Sequence, residues 1–163
     1  MKSFLLFFTV FTATLVNYSQ NPIDDFGGFN YTFTDASVAP EYNRNYTIAV
    51  EDTVVRFSVD SYGDVKYTET NSITRNQLKT FKDLLKKAAL KTISPSKDTD
   101  GCTGGTSEYY LFYAGDENKQ EFSISFCGGK STGNVKGKID DARNAFKALV
   151  PDFEKKLSAS RSH

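Results

Sequence analysis

Between Phe29 and Thr70 the chain alternates apolar and polar residues with little interruption, and this pattern limits the fold most. "FNYTFTDA", "NYTIAVED", "TVVRFSVD" and "VKYTET" each carry large residues at every second position. A period of two places those residues on one side of a strand, so each segment reads as a half-buried strand. Tyr46, Ile48 and Val50 share one face. Ser61–Asp64, with Gly63 free to take a positive φ, supplies a tight turn. Four short-linked strands make an antiparallel meander.

At Thr74 the period changes. Leu78, Phe81, Leu85 and Ala88 recur at helical spacing, with Leu84 beside them. Thr74 and Gln77 form a capping box, and Lys86, Lys87 and Lys91 sit where the helix macrodipole favours cations. A hairpin follows, "SEYYLFYA" and "KQEFSISF" around "GDEN". Pairing Ala114 with Lys119 puts Tyr109, Leu111, Tyr113, Phe122, Ile124 and Phe126 inside. Tyr110 and Phe112 are then left outside, beside Glu121, Ser123 and Ser125. The last element, from Ile139 to Leu157, carries an apolar stripe that Pro151 kinks or divides. The order ββββ-α-ββ-α predicts an α+β fold: an antiparallel sheet of about six strands with two helices on one face.

The first residues belong to a different argument. Met1-Lys2 is basic, Ser3–Val16 is apolar and uncharged, and "NYSQNP" turns polar. That order predicts an export signal over residues 1–20, cleaved near Ser19 or Gln20. The apolar run is too short to span a bilayer, which needs about 20 such residues. Residues 21–158 then form one domain and 159–163 a disordered tail. An exported product is periplasmic or extracellular, with no transmembrane span after cleavage.

Export also decides how the cysteines are read. Cys102 and Cys127 are the chain's only two, and in an oxidising compartment they are expected to pair. Other chemistries fit this segment less well. "CGGKST" ends like a P-loop, but position 124 is Ile where the motif needs Gly, and no helix follows. A thiolate zinc site needs more Cys or His than are present. "DTDG" (Asp98–Gly101) starts like a calcium loop without its later ligands. Redox pairs use C-x-x-C. Gly104 and Gly105, then Gly128 and Gly129, give the backbone freedom to bring the cysteines together.

Composition excludes further classes. Twenty basic residues balance twenty acidic ones, so no charge excess draws nucleic acid. The single histidine is His163, the last residue, which leaves a hydroxyl or thiol nucleophile without its usual base. No cofactor or metal is indicated. The expectation is an exported, non-enzymatic domain that binds a protein or envelope ligand, an inhibitor-type role included. The binding candidates are Thr103, Gly104, Gly105 and Thr106 with Tyr110 and Phe112. The alternative is a hydrolase acting on glycans through Asp60 and Asp64, which flank one tight turn. Asn30 and Asn45 each open an N-x-T glycosylation acceptor.

At "VDSYGDV", "CTGGTS" and "CGG" the chain resembles short exported bacterial proteins of uncharacterised domain families. That resemblance implies export and brings no activity or catalytic residue with it.

Overall fold

A computed structural model describes residues 23–95 and 104–160. The predicted signal, Cys102, Thr103, Asp98, Asp100 and the last residues of the tail lie outside them. The four strands of the meander are present as β1 (Gly28–Thr34), β2 (Asn45–Glu51), β3 (Val54–Ser61) and β4 (Asp64–Ser72). Helix α1 (Arg75–Ala88) and a short strand β5 (Lys91–Thr92) follow. The hairpin is β6 (Thr106–Ala114) and β7 (Asn118–Cys127). The chain continues through β8 (Lys130–Gly133), β9 (Val135–Lys136), α2 (Ile139–Lys147) and α3 (Phe153–Ala159).

The main sheet has seven strands in the order β4-β3-β2-β1-β6-β7-β8, all antiparallel. β5 and β9 form a separate pair. Strand β1 takes the middle because its inward side is entirely aromatic: Phe29 and Tyr31 are fully buried and Phe33 partly so. The helices all pack on this side through rings. Phe81 of α1 meets Phe29 edge-on at 5.3 Å, and Phe146 of α2 lies 5.4 Å from Tyr31. Phe153 of α3 approaches Tyr46 at 5.1 Å and Phe57 at 5.4 Å. Such ring pairs contribute about 0.5–1.5 kcal/mol each beyond the area they bury.

Helix α1 starts as its sequence requires. Thr74 Oγ1 accepts the Gln77 N–H at 3.2 Å, and Gln77 Oε1 accepts the Thr74 N–H at 2.8 Å. Two helices were expected and three form. Pro151 has no N–H to donate, Asp152 turns left-handed at φ +53°, and α3 begins afresh at Phe153. The additional strands β5, β8 and β9 are short and polar, so no hydrophobic alternation marks them.

The hairpin register differs from the expected one and corrects the face assigned to β6. Its loop is Gly115–Glu117, and Ala114 pairs with Asn118 rather than with Lys119. A one-residue slip moves a strand's side chains to the opposite face. β7 keeps Phe122 and Ile124 inside, while β6 turns Tyr110 and Phe112 inward to zero exposure. Tyr109, Leu111 and Tyr113 face out. Strand β1 decides the matter from the other side: Tyr31 pairs with Tyr110 and stacks on it at 4.9 Å, and Phe29 pairs with Phe112. The same alternation drives Glu108 inside, a cost that Arg143 offsets.

On the outward face, the Tyr113 ring covers Gly28. A Cβ at Gly28 would lie 2.1 Å from that ring. The Tyr113 hydroxyl donates to Glu51 Oε1 at 3.1 Å, and Arg56 pairs with the same carboxylate at 2.8 Å. Gly28→Ala is therefore expected to destabilise by about 1–3 kcal/mol, the usual cost of overpacking. The loss should disappear in a Tyr113→Ala background. Urea unfolding of the four proteins in that cycle checks it, and an equal loss in both backgrounds would place the cause elsewhere.

Candidate binding surface at one end of the sheet

Strand direction sorts the connections. The β1–β2 loop, the β3–β4 turn, the approach to β6 and the β7–β8 turn all lie at one end of the sheet. Gly104, Gly105 and Thr106 are thus beside the β1–β2 loop rather than isolated on a hairpin. Gly104 is exposed at φ +88°, and Thr106 opens β6 opposite Phe126. Cys127 ends β7, and Gly128 and Gly129 turn the chain into β8 at φ +55° and +78°. Among the described residues no cysteine is free.

The loop from 35 to 44 is held from within. Asp35 accepts the Ala36 N–H at 2.8 Å and the Arg44 N–H at 3.0 Å. Arg44, only 2% exposed, sends its guanidinium back along the loop. Nη1 donates to the Pro40 carbonyl at 3.2 Å and to the Asn43 carbonyl, and Nη2 donates to the Glu41 carbonyl at 3.0 Å. One side chain thereby satisfies three backbone acceptors that a compact loop would otherwise leave unpaired.

The β3–β4 turn locks onto this loop. Tyr62 and Gly63 hold φ of +51° and +89°, a two-residue hairpin turn in which Asn-Gly is the usual choice. A tyrosine there sits in a region costly for bulky residues, and such strain gathers at functional positions. The Asp60 carboxylate accepts the Gly63 N–H at 2.9 Å and the Asn45 side-chain amide at 3.0 Å. Tyr62 donates its hydroxyl to the Val38 carbonyl at 2.6 Å, and Ser61 donates to the Pro40 carbonyl at 2.7 Å. A cleft of about 490 Å³ remains between loop and turn, with Arg44, Tyr62, Asp64 and Lys66 in its walls.

The loop and the β3–β4 hairpin that form this cleft carry Val38, Tyr42, Tyr62 and Val65, four of the seven large apolar side chains exposed among the described residues, and Tyr62 lines the cleft itself. Tyr42 is the most open at 66%. Val38, Tyr42 and Tyr62 lie in a connection and a turn, where periodicity has nothing to say, and Val65 lies at the start of β4. The one local signal is an aromatic residue directly before the turn glycine. Tyr110 and Phe112, expected to be the binding rings, are core residues and do not reach this surface.

Asp60 and Asp64 do not act as a pair. Asp60 is bonded to Asn45 and Gly63, while Asp64 is exposed and pairs with Lys66 at 2.5 Å. The Asn45 amide group is equally committed, since its oxygen accepts the Asp35 N–H at 2.9 Å. Asn30 sits mid-strand with its side-chain oxygen buried. Among the described residues no cluster of His, Cys, Asp and Glu is placed to hold a metal, and no helix is long and apolar enough to cross a membrane.

No family model, curated protein or solved structure matches the chain. The surface must therefore be interpreted from its own chemistry. Beneath it lies a buried polar group. Glu108, 3% exposed, accepts the Tyr110 hydroxyl at 2.6 Å and both Nε and Nη2 of Arg143, at 2.8 and 2.5 Å. Arg143 also reaches Asp140 at 2.7 Å. Burial pushes the Tyr46 hydroxyl up to about 12 and those of Tyr31 and Tyr110 further, so all three remain protonated. This network ties α2 to β6 and has no cleft opening onto it among those described.

A further cleft, about 570 Å³, is at the opposite end of the sheet, between α1 and the N-terminal segment. Its three lysines are spent internally. Lys86 pairs with Asp24 at 2.6 Å, Lys79 with Asp83 at 2.8 Å, and Lys82 donates to the Phe26 carbonyl at 2.7 Å.

Proposed function

We propose that the chain is an exported, non-enzymatic binding domain of the periplasm or cell exterior, which meets a polypeptide partner through the loop end of the sheet. The observation that carries this reading is the group Val38, Tyr42, Tyr62 and Val65, exposed on an internally bonded loop and the hairpin locked to it. Exposed rings on a rigid backbone suit recognition, because little side-chain freedom is lost on docking. Gly104–Thr106 adjoins that end, and a Cys102–Cys127 bridge would hold its approach to β6. The alternative, a glycan hydrolase using Asp60 and Asp64, has no observation in its favour, since the two carboxylates take different partners.

The surface is tested with the pair Tyr42→Ser and Tyr62→Asn. Asparagine tolerates the left-handed conformation better than tyrosine, which compensates for the lost bond to Val38. Stability should stay within about 1 kcal/mol of the parent, as for most exposed substitutions. Capture of the native partner should be lost, because truncated interface aromatics often cost about 2 kcal/mol or more. A stable double variant that retains every native partner would make this surface idle.

Export and the bridge are read from one sample. Mature protein from its native host should begin near Gln20 or Asn21, and its thiols should resist alkylation until reduced. A retained Met1, or two alkylated thiols in unreduced protein, would remove the corresponding part of the proposal.

A further inference from the structure

The buried Arg44 guanidinium offers more than loop support. It has five N–H donors. Both on Nη1 are used, and one on Nη2 is used, all by backbone carbonyls. Nε is buried and has no partner. What is left is Nε–H and one Nη2–H, and no carboxylate is bonded to the guanidinium among the described residues. A cation removed from water without a counter-charge is costly, and a planar pair of oxygens is what an arginine fork accepts best.

The surroundings limit which anion fits. Arg44 shares the cleft with Lys66, Asp64 and Glu41, so the four charges cancel. Lys66 is already paired with Asp64. A phosphate dianion would face the two carboxylates of the lining with twice the charge of a single carboxylate, whose one charge the unsatisfied guanidinium can balance. Tyr62 gives the lining an aromatic ring. The Tyr62–Val38 hydrogen bond joins the two walls.

We propose that this cleft is a carboxylate-binding site anchored by Arg44, which receives an acidic side chain or the chain end of the polypeptide partner. It rests on the binding surface proposed above and assigns that surface its polar anchor. Nε is covered by the surrounding protein, so the carboxylate enters as the walls part and the Tyr62–Val38 bond is released.

The test follows the Arg44 Nε–H resonance in ¹⁵N-labelled wild-type protein during titration with acetate. A saturable shift is expected with acetate, and none with acetamide or inorganic phosphate. Tyr62→Phe, which removes one of the two side-chain bonds between the walls and leaves that of Ser61 to Pro40, should bind acetate as tightly as the parent or more so. Arg44→Lys should abolish the saturable shifts of neighbouring amides; if that variant does not fold, the wild-type titration still decides. Two short peptides separate the sources, one amidated at its C-terminus with a single internal Asp, the other without acidic side chains but with a free C-terminus. An unmoved Nε–H, or equal responses to acetate and acetamide, overturns the site. An equal response to phosphate overturns its selectivity, and binding of acetate with neither peptide overturns the polypeptide source. Loss of partner capture in the tyrosine variant alongside a silent acetate titration would retain the surface and discard only this anchor.

Discussion

Replacing Tyr110 and Phe112 together with serine should unfold the domain. Both rings have zero exposure, and both lie at the seam where β6 joins β1. Tyr110 stacks on Tyr31 at 4.9 Å and meets Phe146 at 6.1 Å. Phe112 touches Phe29 and Phe122, each at 5.4 Å. Truncating one buried aromatic residue typically costs about 3–5 kcal/mol. Two such losses at neighbouring sites approach or exceed the whole stability of an ordinary domain, about 5–15 kcal/mol. Tyr110 also donates to Glu108, so its removal weakens a buried charge as well. Tyr109→Ser provides the contrast: that ring faces outward, and its loss should stay within about 0.5 kcal/mol. Circular dichroism and amide dispersion distinguish the two outcomes. A double variant that melts near the parent temperature would mean that the β6 register described here is wrong.

The second large effect belongs to Arg143. Arg143→Met keeps the length of the side chain but leaves Glu108 charged, buried and held only by Tyr110. Breaking a buried pair from one side costs about 3–5 kcal/mol. The value should fall toward the lower end, because the Arg143 side chain is 24% exposed and water can partly replace it. Burial works against the Arg143 charge, yet Glu108 holds its pKa above the usual arginine value, which is the same coupling viewed from the cation. Adding Glu108→Gln to Arg143→Met should recover part of the loss, since an amide needs no counter-charge. Urea unfolding of the single and double variants measures the coupling. An Arg143→Met loss below about 1 kcal/mol would show that Glu108 finds other solvation, contrary to the cost expected for an unpaired buried charge.

These two effects also mark where the sequence could and could not be read. The meander was legible because Phe29, Tyr31, Tyr46, Ile48, Val55 and Phe57 alternate with polar residues, and burial follows that alternation. The start of α1 was legible because Thr74 and Gln77 state a local geometry. The face of β6 was not. In "EYYLFY" large residues occupy both faces, and Glu108 favours the outward reading of its own set. Only Arg143, distant in sequence, makes the inward set affordable. The short strands carry no pattern because pairing with an existing edge needs backbone groups rather than apolar side chains.

For the candidate surface, the glycines of Gly104–Thr106 mark a loop, which the fold brings to the same end of the sheet as the β1–β2 loop. Tyr42 and Tyr62 were missed because an aromatic residue in a connection gives no indication of whether the fold will cover it. The strain at Tyr62 becomes visible only when its φ is known.

The middle position of β1 shapes how the chain must assemble. β1 is made early and its partner β2 follows across a modest loop, but the strand for its other edge, β6, comes nearly half the chain later. Until then the aromatic face of the meander has only α1 to cover it, and an open strand edge runs beside it. Contacts this distant in sequence slow folding, and uncovered edges invite pairing with other molecules. A chain that crosses a membrane N-terminus first would expose this half-built sheet before its missing strand arrives, so the passage itself becomes the hazardous interval. Holding the chain unfolded until β6 and α2 have emerged would be the safest route, and a holdase would be expected to grip the segment from Phe29 to Val59.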